Sequence, residues 1–112
     1  MRALITLSPL MYREAIAHSV HQRRPGFEVR TAPPEAVEEE MRVFEPHILV
    51  CNGTDAVDHK VLAGVPCWIE VQYSDSMDAK IYLEGRVEKV KDISTEELVR
   101  VADEVAAGTR QT

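Results

Sequence analysis

The stretch that most constrains this chain is Glu45-Pro46-His47-Ile48-Leu49-Val50-Cys51-Asn52-Gly53. It is a short apolar run, bounded by proline on one side and glycine on the other. Such a run reads as a strand buried on both faces, the kind found inside parallel sheets covered by helices. Taken as the central strand, it puts the rest of the chain in order. Residues 3–7 form a first apolar strand closed by Ser8-Pro9, where Ser8 suits an N-cap and Pro9 the first helical position. A helix then runs to about Arg24, with Tyr12, Ala15, Ile16, Ser19 and Val20 as its buried stripe, and Pro25-Gly26 stops it. Residues 27–31 alternate as a half-buried strand. Pro33-Pro34 open a second helix through Phe44, with Val37, Met41 and Phe44 facing inward.

After the central strand, residues 56–63 read as a short third helix and residues 67–73 as a fourth strand. Residues 79–90 read as a β-hairpin turning at Glu84-Gly85-Arg86. Ser94-Thr95-Glu96-Glu97 is a capping box that opens a terminal helix with Leu98, Val101, Ala102 and Val105 on its inner face. Strands alternate with helices, which predicts one α/β domain over residues 1–108 and a frayed tail over 109–112. The expected build is three-layer α/β/α. Its sheet would be mostly parallel, in the flavodoxin-like order 2-1-3-4-5, with an extra β-hairpin in place of helix four.

Charge and composition exclude several function classes. With 19 acidic and 13 basic residues the net charge is −6, and the densest basic cluster is Arg23-Arg24. Phosphate backbones and anionic membrane surfaces need clustered lysine and arginine, so neither nucleic acid nor membrane is an expected partner. No apolar stretch is long enough to span a bilayer, and no signal peptide is evident. Two cysteines, Cys51 and Cys67, lie inside apolar runs and form no Cys-x-x-Cys, which fits a reducing cytoplasm. His18, His21, His47 and His59 do not make a metal-ligand set on one element, so no metal is expected. No cofactor motif is present either. The acidic residues Glu35, Glu38, Glu39 and Glu40 in the first turns of the second helix read as a solvated helix face.

Several residues together resemble the receiver domains of bacterial response regulators. Pro46-His47-Ile48-Leu49-Val50-Cys51-Asn52 is similar to the receiver stretch Pro-Asp-x-x-x-x-Asp that ends strand three. Glu35-Ala36-Val37 is similar to the Glu-Ala-Leu opening of helix two. Lys91-Asp92-Ile93-Ser94-Thr95-Glu96-Glu97-Leu98 resembles Lys-Pro-Phe-Ser-x-Glu-Glu-Leu after strand five. The resemblance implies a phosphorylatable aspartate where Asn52 stands, and an amide cannot form the acyl phosphate. It also implies an acidic pair holding Mg2+ after strand one, where Thr6, Leu7, Ser8 and Pro9 carry no carboxylate. Lys91 matches the family's lysine.

Two functions follow as expectations. One is a non-enzymatic, receiver-like regulatory module without catalytic residues. It would be unable to undergo aspartyl phosphorylation and would act through a protein partner or as a homodimer, by the hairpin edge or nearby helices. The alternative is a small anionic-ligand binder, for nucleotide or phosphate, or a small enzyme. That would use a crevice at the carboxyl ends of strands one and three, lined by Ser8, Asn52, Gly53, Thr54 and Lys91. Cys51 reads as core filler, with a reactive thiol as the other reading.

Overall fold

The central strand forms where expected because its side chains have apolar partners on both sides. In the computed structural model, which describes residues 1–8, 10–52, 62–73, 77–83 and 85–110, β3 (Ile48–Cys51) is buried at every position. It lies between β1 (Arg2–Ile5) and β4 (Cys67–Tyr73), parallel to both. β2 (Glu28–Thr31) adds to the outer side of β1, also parallel.

Beyond β4 the sheet changes direction. β5 (Met77–Leu83) runs antiparallel to β4, and β6 (Arg86–Val90) runs antiparallel to β5. The result is a six-stranded mixed sheet of order β2-β1-β3-β4-β5-β6. This corrects the expectation of a three-layer flavodoxin-like sandwich with a mostly parallel sheet of order 2-1-3-4-5. The physical reason is the connection between β4 and β5. Residues 74–76 are too few for a crossover, which takes a dozen residues or more, so the next strand must return antiparallel. The hairpin is therefore not an appendage replacing a helix. It continues β4 into a three-stranded meander that is part of the sheet.

Alternation along the strands divides the core in two. On one face, Ala3, Ile5, Ile48, Val50, Cys67, Ile69, Val71, Ala79 and Ile81 meet two helices, α1 (Leu10–Arg23) and α3 (Thr95–Arg110). On the other face, Leu4, Leu49 and Cys51 meet Val37 and Met41 of α2 (Val37–Phe44), with Leu62 and Val65. A 3-10 turn, Pro34–Ala36, leads into α2, so the proline pair starts a turn rather than the α-helix itself. Arg30 of β2 pairs with Glu40 at 2.7 Å and lies over the Phe44 ring, which removes one carboxylate from the run expected to face water only.

The terminal helix matches its sequence signature. Ser94 Oγ accepts a hydrogen bond from the Glu97 N–H at 3.2 Å, and Leu98, Val101, Ala102 and Val105 are buried. The helix continues to Arg110, past the expected end near Gly108. The stripe of α1 is rotated from the expected one. Ile16 and Val20 are buried and Ser19 is half-buried, as expected, with Arg13 and Ala17 half-buried beside them, whereas Tyr12 and Ala15 are exposed. Arg24, just past α1, binds Asp103 of α3 through two hydrogen bonds, Nε to Oδ1 at 2.8 Å and Nη2 to Oδ2 at 2.6 Å. Those bonds raise the Arg24 pKa, chiefly by holding its protonated form against the carboxylate. The expected third helix over residues 56–63 lies almost wholly outside the described residues.

Candidate functional site: the exits of the first and third strands

Two parallel strands side by side end with unpaired backbone groups, and in open α/β sheets that end is where ligands bind. Here those groups are bonded within the chain. The Thr6 N–H donates to Val50 O at 2.9 Å. Leu7 O accepts from Arg13 Nε at 2.9 Å. Asn52 completes the closure. Its Oδ1 accepts from the Ser8 N–H at 2.6 Å, while its Nδ2 donates to Ser8 O at 3.3 Å and to Val71 O at 3.5 Å. One amide thus ties the exits of β1, β3 and β4 together. An anion approaching the Ser8 N–H would have to displace Asn52 from it.

The electrostatics of this exit differ from those of a cation site. Thr6, 1% exposed, is the buried polar residue there, and its hydroxyl donates to Val50 O at 3.5 Å. No described residue of the β1 exit is acidic, and Arg13 brings a guanidinium to Leu7. Among the described residues of the β1 exit a hard divalent cation would meet no carboxylate. Among the described residues no group of three or more His, Cys, Asp or Glu side chains could hold a metal ion.

The sequence-derived site is only partly assembled. Ser8 and Asn52 are in direct contact. Gly53 and Thr54 lie outside the described residues. Lys91 is not brought to Asn52. Asn52 follows Cys51, which is level with Glu70, so Asn52 is level with Val71. Val71 pairs with Ala79, and Ala79 pairs with Val90. Lys91, next after Val90, is therefore about three strand spacings from Asn52, roughly 14 Å. The antiparallel β5, inserted between β4 and β6, creates that separation.

Neither thiol has the setting of a nucleophile. Cys51 is 3% exposed, and its Sγ donates to Ile69 O at 3.7 Å. Cys67 is fully buried, and burial pushes its pKa up to about 12, with a smaller contribution from the Glu104 charge. A thiol held protonated is a poor nucleophile.

Arg13 is the site residue that sequence reasoning missed. It lies outside the stripe expected to be buried, yet its side chain reaches back to Leu7. A long basic side chain in the first turn after a strand exit is the signal that could have found it. The opposite end of the sheet has its own cleft, of about 510 Å³, lined by residues that include Arg2, Met41, Glu45, His47 and Val65. There the Arg2 N–H donates to His47 Nδ1 at 2.9 Å, and the His47 N–H donates to Arg2 O at 2.9 Å.

No protein-family model, curated protein or solved structure matches the chain. Among the described residues no helix is long and apolar enough to cross a membrane.

Proposed function

We propose that the chain is a non-enzymatic regulatory module that works through protein contacts and cannot take a phosphoryl group at the exit of β3. The observation that carries this reading is the Asn52 bridge to Ser8 and Val71. It puts a closed set of hydrogen bonds where a ligand-binding α/β sheet keeps an open crevice. Arg13 at Leu7 supports the same reading, because a cation there opposes Mg2+. The reading keeps the resemblance of residues 46–52 to response-regulator receivers and sets aside the parallel five-stranded sheet that the resemblance implied. What remains for function is surface, and the exposed edge of β6 is its most distinctive part.

The reading is tested by incubating the protein with acetyl phosphate and Mg2+ and measuring its intact mass. No phosphoryl adduct is expected on the native chain. None is expected on Asn52→Asp either, since residues 6–8 supply no carboxylate to hold the metal. A stoichiometric, hydroxylamine-labile adduct on the native chain would overturn the proposal.

A further inference from the structure

The sheet ends at β6, and that edge is self-complementary. We propose that two copies of the chain pair there, β6 against β6, as an antiparallel two-fold dimer centred on Val87. The strand is open at its outer side: β6 is last in the sheet order, and Arg86, Val87, Glu88 and Lys89 are all exposed. Val87 is 55% exposed although it continues an apolar row. Trp68, Tyr82 and Val87 lie opposite one another across β4, β5 and β6. Trp68 and Tyr82 stack with ring centroids 5.0 Å apart and planes at 15°. The row stops at the edge with a bare valine.

Charge selects the register. A two-fold axis normal to the sheet keeps each side chain on its own face and lets antiparallel strands meet. Centred on Val87, it sets Val87 against Val87 and Gly85 against Lys89. It also sets Arg86 against Glu88 twice, once on each side of the axis. Among the described residues neither Arg86 nor Glu88 forms an ion pair within the chain, so both are available. Every neighbouring register is worse. Centring on Glu88 opposes two glutamates, centring on Lys89 opposes two lysines, and centring on Arg86 opposes two arginines. Opposite charges directly across an antiparallel pair attract and like charges repel. Charges on an edge strand ordinarily protect it from indiscriminate pairing. Here the same charges leave one pairing favourable, which also extends the Trp68–Tyr82–Val87 row into the second copy. At the other edge of the sheet, Arg30 of β2 is already engaged by Glu40 and Phe44.

This inference names the partner in the proposed protein contacts but stands on β6 alone. A monomer would overturn it and leave the phosphorylation result untouched. The test is sedimentation equilibrium of the full chain in about 0.15 M salt, where exposed charges farther apart than the Debye length are screened. A discrete dimer is expected. Arg86→Glu and Glu88→Arg should each weaken it by about tenfold or more, and the double variant R86E/E88R should restore it. Oxidation of Val87→Cys should give a covalent dimer, whereas Lys89→Cys, four residues out of register with itself, should not. Cys51 and Cys67 are buried and do not compete. A monomeric native chain, single reversals without effect, a double variant that fails to recover, or cross-linking through Lys89→Cys in place of Val87→Cys would each contradict the proposal.

Discussion

An asparagine side chain carries an acceptor and two donor hydrogens on one planar group, which is what lets Asn52 join three backbone groups at once. An aspartate there could still accept from the Ser8 N–H. It would turn its second oxygen toward the Ser8 and Val71 carbonyls that Nδ2 now serves. The identity of this residue was read directly from the sequence, as was the missing carboxylate after the first strand. Its partners were not, because a hydrogen bond across 44 residues leaves no periodic trace. His47 makes the matching connection at the other end of the strands. Partial burial lowers its pKa first, and the positive charges of Arg2 and the N-terminus lower it further. In the unfolded chain it titrates near its ordinary value, about 6.5. Just below that pH the unfolded state binds more protons, so stability rises with pH through the window. The contribution is complete above the ordinary value and is lost as pH falls through the folded one. His47→Asn keeps an acceptor near Arg2 and removes the titration. Urea unfolding at about pH 7.5 and about pH 5 should show a smaller loss of stability in the variant than in the native chain. An equal loss would show that His47 does not titrate in this way.

At the scale of elements, the local signals that came true are those fixed by a few adjacent residues. The N-cap at Ser94 and the inner stripe of α3 are examples. Ser94→Ala should cost about 1 kcal/mol of stability, read as a lower urea midpoint at unchanged slope. An unchanged midpoint would mean that the Glu97 N–H finds another partner. The signals that failed depend on what an element meets. The periodicity of α1 was legible but its phase was not. Arg13 turns back to Leu7, and Arg13 and Ala17 join Ile16, Ser19 and Val20 in the stripe in place of Tyr12 and Ala15. Likewise the hairpin was visible in its alternating charges and its glycine, and Gly85 takes a φ of 78° at that turn. Its continuation into β4 rests on the short connection at residues 74–76, which carries no hydrophobic period of its own.

The whole molecule is a parallel sheet joined to an antiparallel meander, and the two proposals rest on different parts of it. The parallel part carries the strand exits, closed by Asn52. The meander carries an exposed edge with its own charge pattern, and it carries Lys91 away from the exits. The β-α-β order of the first half was legible because hydrophobic periodicity and turn residues mark it. The mixed sheet was not, because the alternation of strands and helices in the first half was extended to the whole sheet, whereas β5 and β6 return antiparallel. The closure by Asn52 is tested most directly by NMR. The Asn52 side-chain amide and the Ser8 N–H can be followed while Mg2+ and the phosphoryl mimic beryllofluoride are titrated together. Signals of both groups that stay in place throughout are the predicted result. Saturable shifts at Ser8 and Asn52 would mean that the exits of β1 and β3 open to a ligand, and would contradict the account.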